Sequence, residues 1–210
     1  MRVYHFVKAK YGLINLEKRR LKISIIMELN DPFEFLGAEL SDRNFRKTIK
    51  KTKKELSKTK GILCFSKNWK NPVQWSHYTD KHKGLCLGFD VPDHLLAKVD
   101  YVKERLSQNC EINEELMLKF LTTKFEHWSY EEEYRLFVEL KEKDKDGNYY
   151  ADFSDELKLK QVIIGAYSGI TRKQVDIALD SYIGELEIFK ARAGFRRFEV
   201  VRNRNEKLWT

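Results

Sequence analysis

The sequence predicts an α+β fold, a mixed and largely antiparallel sheet with flanking helices. Two long segments of helical spacing, 43–60 and 111–125, stand among many short apolar or alternating runs. Asp146-Gly147 lies between two strand-like runs and is a hairpin signal. The 210 residues carry no internal repeat and no low-complexity linker, so a single domain over 1–210 is expected.

The elements follow in order. Residues 3–7 read as a strand, 12–20 as a helix with Leu13 and Leu16 inward, and 21–26 as a second strand. Asn30-Asp31-Pro32-Phe33-Glu34 interrupts regular structure, because Pro32 pushes Asp31 out of the α region. It reads as a turn with a hydrophobic plug, or as a polar pair lining a cleft. Phe45, Ile49, Thr52 and Leu56 recur at helical spacing and predict an amphipathic helix over about 41–60. The apolar run 61–65 suits a central strand. Residues 72–78 suit a helical turn with Pro72 as its first residue. Strands are expected at 84–89 and 99–102, and a helix over 111–125 with Leu116 and Phe120 spacing its faces. Further strands are expected at 134–140, 149–153, 162–165, 186–191 and 195–201, with Thr171 capping a helix that runs to about 182.

Charge is concentrated. Lys+Arg number 40 against 32 Asp+Glu, a net charge of +8. Arg43 to Lys60 holds nine basic residues and one acid, Glu55, and so carries the whole excess. Arg46, Lys47, Lys50, Lys51, Lys53 and Lys54 are candidate polyanion contacts, with nucleic acid the expected partner. The same stretch also fits a solvated helix face, and no aromatic is interleaved for base stacking. A second basic cluster, Arg192, Arg196, Arg197, Arg202 and Arg204, is diluted by Glu199 and Glu206.

A hydrophobic fraction of 42% and an aromatic fraction of 13% exclude disorder. No apolar run reaches the roughly 18–20 residues of a membrane helix, and the N-terminus lacks a signal-peptide core, so no membrane contact is expected. Cys64, Cys86 and Cys110 form neither a CxxC pair nor an even set, and Cys64 and Cys86 fit small hydrophobes inside strands. A cytoplasmic protein is expected.

Two regions concentrate chemistry. One runs from Cys64 to Gly84 and crowds Ser66, Trp69, Trp75, His77, Tyr78 and His82 behind a buried strand. The other, His127 to Arg135, enters a strand on which Glu131 and Glu133 share one face. His77 and His82, five apart, diverge on a helix, so no metal site is predicted. A Ser66–His77–Asp90 triad lacks the setting of a nucleophilic serine.

The motifs Asn30-Asp31-Pro32-Phe33-Glu34, Cys64-Phe65-Ser66, Trp75-Ser76-His77-Tyr78, His82-Lys83-Gly84, Trp128-Ser129-Tyr130-Glu131-x-Glu133-Tyr134-Arg135 and Val162-Ile163-Ile164-Gly165 together resemble the bacterial DUF2971 family. More loosely, His5, Ser66 and Glu131-x-Glu133 occur in the order found in ADP-ribosyltransferases, although the serine motif is Cys-Phe-Ser rather than Ser-Thr-Ser.

That similarity implies an ADP-ribosyltransferase-like architecture and NAD as substrate. His5 would anchor the adenosine ribose, Ser66 would support the nicotinamide end and Tyr78 would stack on the nicotinamide ring. Glu133 would bind the ribose 2′-OH and stabilise an oxocarbenium-like transition state, while Glu131 orients the acceptor. His77, Trp75 and Arg135, in the same motifs, complete the implied cofactor contacts. It further implies action on nucleic acid or protein in bacterial stress or phage defence.

Plainer readings stand beside these. His5 fits a core or surface histidine, Glu131, Glu133 and Arg135 an ion-pair ladder, and Trp75 and Trp128 core anchors. The competing functions are a non-catalytic nucleic-acid-binding protein and a metal-assisted nuclease using Glu131, Glu133 and His77.

Overall fold

The structure is a computed structural model and describes residues 1–106, 113–180, 182–205, 207 and 209. Strand β1 (Arg2–Val7) leads into helix α1 (Ala9–Lys18), which stops where Arg19 takes a left-handed φ of 51°. β2 (Arg20–Lys22) and β3 (Ser24–Ile25) precede a long loop and α2 (Arg43–Thr59). The Asp42 carboxylate caps α2 by accepting from the Phe45 amide at 2.6 Å. β4 (Lys60–Ser66), α3 (Pro72–Tyr78) and β5 (Leu85–Asp90) follow, with Pro72 opening α3 behind an Asn71 cap.

β6 (Leu96–Lys98) and β7 (Asp100–Val102) are short. α4 (Glu114–Leu121), capped by Asn113, runs into β8 (Thr123–Phe125). β9 (Glu133–Glu139), β10 (Tyr150–Asp152), β11 (Lys158–Ile164), α5 (Arg172–Ala178), β12 (Glu187–Ala193) and β13 (Val200–Arg202) complete the order.

Nine strands form one sheet in the order β13-β12-β11-β5-β1-β4-β9-β6, with β3 also paired to β4. Among its described pairings β11–β12 is parallel and the rest antiparallel, so the fold is α+β with a mixed, mostly antiparallel sheet. Both faces of the central strands are covered. Val162 and Ile164 join the core with Leu16, Leu87, Phe89 and Val175, while Ile163 packs with Trp75, Cys86 and Phe189 on the other side. That double burial makes β5 and β11 continuous apolar runs. A third cluster, Ile26, Phe35, Ile49, Ile62 and Phe120, seats α2 and α4.

The sheet opens between β1 and β4. β1 meets β4 at the single pair Tyr4↔Ser66, and β3 takes up the same edge of β4 at Ser24↔Ile62. The gap between them becomes the cleft described below.

Several expectations change. The strand expected over 21–26 is split: β2 pairs with β10 and β3 with β4, and Ile26–Glu28 closes into a 3-10 turn. Ile23, at the break, is buried and donates its amide to the Tyr149 carbonyl at 2.9 Å. A turn does form at Asp146-Gly147, with Gly147 at φ +76° and its amide on the Asp144 carbonyl at 2.9 Å. It is not a hairpin, because β4 and β6 occupy both edges of β9 and β10 goes to β2. The helix expected over 111–125 ends at Leu121; residues 111 and 112, like Cys110, lie outside the described residues. α5 keeps its Thr171 capping box but ends at Ala178. The strand expected over 195–201 is confined to β13, and 194–199 form a tip.

Candidate active site

The opening between β1 and β4 is a cleft of about 280 Å³. His5, Cys64 and Ser66 line it from β1 and β4, Tyr78 from α3 and Lys124 from β8. Asn30 and Glu34 line it from the loop after β3, and Glu131 and Glu133 from the approach to β9. Pairing of β4 with β9 sets Ser66 opposite Glu133 and Cys64 opposite Arg135.

Strand periodicity would put Glu131 and Glu133 on one face, and the structure brings them together by another route. Glu131 ends a 3-10 helix over Glu126–Glu131, and Glu132 takes a left-handed φ of 44° before β9 begins. Glu132 consequently points outward, where it accepts from the Asn68 amide nitrogen at 3.1 Å. Its two neighbours point to one ammonium: Lys124 Nζ donates to Glu131 at 2.6 Å and to Glu133 at 3.0 Å.

Arg135 lies beneath them. Its Nε and Nη2 donate to Glu133 at 2.9 and 3.1 Å, its Nη1 and Nη2 to Glu34 at 3.0 and 2.6 Å, and Nη1 also to the Leu121 carbonyl at 2.7 Å. Three carboxylates and two cations are thus interleaved, none of the five residues more than 6% exposed. The cluster carries one negative charge in excess. Such a site favours either incoming positive charge or a proton on one carboxylate.

The two glutamates facing the cleft are pushed in opposite directions. Burial raises Glu131 above the usual carboxylate range, and Lys124 and the Tyr78 hydroxyl offset this only in part. Burial acts on Glu133 as well, but the Arg135 guanidinium and the Lys124 ammonium outweigh it and hold that carboxyl below its usual range. Lys124 is desolvated too, yet Glu133, Glu131 and Glu34 keep it firmly protonated. Burial and Glu131 push the Tyr78 phenol upward, so it serves as a donor to Glu131. Burial, and then Glu133, raises the Cys64 thiol, which favours its protonated form.

Each remaining candidate has a definite place. His5 lines the cleft; its Nδ1 lies 3.1 Å from the Cys64 carbonyl, which can only accept, so Nδ1 carries a proton. Burial lowers the pKa of His5 and favours the neutral ring, leaving Nε2 as an acceptor. Ser66 Oγ donates to the Asn68 carbonyl at 3.0 Å and accepts from the Asn68 amide and from Gln74 Nε2, each at 3.0 Å. That hydroxyl is saturated and frames the site. Trp75 is fully buried, its Nε1 donating to the Trp69 carbonyl at 2.5 Å, and belongs to the core. His77 is exposed and pairs with the Tyr130 hydroxyl at 3.0 Å. Among the described residues, Trp75, His77 and Arg135 are not part of the cleft lining; Arg135 acts from below it.

α2 divides its cations. Arg46 turns back to the Leu40 and Ser41 carbonyls, and Lys53 Nζ donates to the Glu34 carbonyl at 2.8 Å. Lys47, Lys50, Lys51 and Lys54 stay exposed at the spacing of one helix face.

Sequence reasoning missed Lys124, Glu34 and Gln74 as site residues. Glu34 stood in a motif already marked as irregular, and Gln74 stood between Ser66 and Tyr78. Lys124 gave no signal, because the helix expected over 111–125 hid the change from helix to strand at Thr122 that places it on β8. Among the described residues no group of three His, Cys, Asp or Glu is arranged to hold a metal, and no helix is long and apolar enough to cross a membrane. Comparison with protein-family models, with curated proteins and with solved structures finds no match to this chain.

Proposed function

We propose that the protein is an NAD-consuming enzyme of the ADP-ribosyltransferase kind, acting on a nucleic-acid or protein acceptor in bacterial stress or phage defence. One observation carries the reading. Two buried carboxylates, Glu131 and Glu133, face one cleft and share the Lys124 ammonium while Arg135 grips Glu133 alone, as suits a pair in which one acid handles a proton and the other stays charged. The cleft volume suits a nucleoside-sized portion of the dinucleotide, with the remainder along the cleft mouth.

In this reading the bond between nicotinamide and the ribose C1′ breaks, and its electron pair leaves with nicotinamide. Positive charge then develops on the sugar, and Glu133, kept ionised by Arg135 and Lys124, stabilises it. The acceptor's lone pair closes on C1′, and its proton passes to Glu131. Neutral His5 offers Nε2 to a ribose hydroxyl, and Tyr78 holds Glu131 in place.

Nicotinamide release from NAD tests the proposal. Wild type should turn NAD over, and Glu133→Gln should lower the rate by at least about 100-fold, the scale of losing a charge-stabilising group. Equal rates for the two proteins overturn it.

The second reading, a non-catalytic nucleic-acid-binding protein, draws on the four exposed lysines of α2. It expects salt-sensitive binding with no NAD turnover at all.

A further inference from the structure

Away from the cleft, the tip between β12 and β13 presents two phenylalanines to solvent, beside Arg192, whose Nη1 donates to the Ala193 carbonyl at 2.8 Å. The two strands pair as far as Ala193↔Val200, and residues 194–199, Gly-Phe-Arg-Arg-Phe-Glu, turn between them. The Gly194 amide donates to the Glu199 carbonyl at 2.7 Å, and the Glu199 amide to the Arg197 carbonyl at 2.8 Å. The Val200 amide is held by the Lys70 carbonyl at 2.8 Å, which ties the tip to the neighbouring loop. A Cβ on Gly194 would stand 2.8 Å from the Arg197 carbonyl oxygen, so this closure requires glycine.

On this closed turn Phe195 is 88% and Phe198 99% exposed. The Arg192 guanidinium lies 4.0 Å over the Phe195 ring. A concavity of about 280 Å³ opens beside them, lined by Arg192, Phe195, Arg196, Arg197 and Glu199 among others, and shares no residue with the cleft.

We propose that this tip binds single-stranded nucleic acid, with bases stacking on Phe195 and Phe198 and phosphates meeting Arg192, Arg196 and Arg197. Two flat apolar rings in water are unfavourable unless something covers them. The cover must also satisfy cations placed between and beside those rings. A single strand alternates the two chemistries in the same way, an apolar base face next to an anionic phosphate. Duplex DNA has its base faces already stacked, so the rings could meet them only by prying a base step apart. A lipid surface would favour contiguous apolar residues, whereas here Arg196-Arg197 separates the rings. α2 can neutralise phosphates but has no exposed ring on which a base could stack, so the two surfaces differ in what they recognise.

The test uses the full-length protein and a short fluorescent oligothymidylate, read by anisotropy. Phe195→Ala with Phe198→Ala should weaken binding by about tenfold or more, the scale of losing base–aromatic stacking. Phe198→Trp should retain affinity, and its emission should be quenched as the oligonucleotide binds. Arg196→Gln with Arg197→Gln should flatten the salt dependence by about 0.7 for each phosphate no longer neutralised. Both rings are solvent-exposed, so circular dichroism should show the variants folded. Unchanged affinity in the double alanine variant overturns the proposal. So does oligonucleotide binding abolished only on neutralising α2, or wild-type binding to phosphatidylglycerol vesicles without binding to the oligonucleotide.

Discussion

Arg135 and Glu34, 101 residues apart in the chain, form a two-point ion pair at 3.0 and 2.6 Å with the guanidinium fully buried. The same guanidinium holds Glu133, so the loop after β3 and strand β9 are locked together beneath the cleft.

Glu34→Ala removes one partner of that buried network and leaves Arg135 short of an acceptor. It should destabilise the fold by about 3–5 kcal/mol, the usual consequence of breaking a buried pair from one side. Arg135→Lys should also destabilise, because an ammonium cannot grip two carboxylates in one plane. Urea unfolding measures both, and a Glu34→Ala midpoint equal to wild type would contradict the lock.

Lys124→Met should make stability depend on pH in a defined sense. Lys124 lowers the proton affinity of Glu131 and Glu133 in the folded state. Without it Glu131, already raised by burial, holds its proton more tightly still, while Glu133 keeps Arg135 but loses one of its two cations. The Glu131 contribution to stability is then fully present below the unfolded carboxylate range and is lost as pH rises through its raised folded value. Chemical denaturation should therefore show a larger deficit at about pH 7.5 than at about pH 5. The opposite trend would show that Lys124 does not offset these carboxylates.

Tyr78→Phe removes a hydrogen bond that favours the charged form of Glu131. Glu131 should then bind its proton more tightly. Under the proposed ADP-ribosyl transfer, with Glu131 ionised to receive the acceptor's proton, the rising limb of the kcat/KM profile should move to higher pH with the plateau retained. A limb that stays in place would remove Glu131 from that step.

On α2, changing Lys47, Lys50, Lys51 and Lys54 together to Gln should leave stability within about 0.5 kcal/mol, as for exposed sites generally. If α2 is the polyanion contact proposed for the second reading, binding to duplex DNA should weaken, with a salt slope shallower by about 0.9 for each phosphate that the variant leaves unneutralised. Lys53→Gln should instead destabilise, since Lys53 ties α2 to the loop that carries Glu34. Equal thermal stability of wild type and Lys53→Gln would argue against that tie.

Local signals in the chain were enough for the α+β class and most of the elements. Pro72 marks the start of α3, and Thr171 marks that of α5 through a bond to an amide three residues on. The apolar runs of β4, β5 and β11 mark strands covered on both faces. Motif order also singled out Glu131 and Glu133, although strand periodicity was the wrong reason for their meeting: the left-handed turn at Glu132 and the ammonium of Lys124 bring them together. Tertiary structure alone decided where β2 and β10 pair, that β1 leaves β4 after one residue pair to open a cleft, and that Glu34, Lys124 and Arg135 surround the two glutamates. The physical reason is range. Caps and periodicity act over a few residues, whereas strand pairing and the balance of five buried charges depend on which distant groups are brought out of water together.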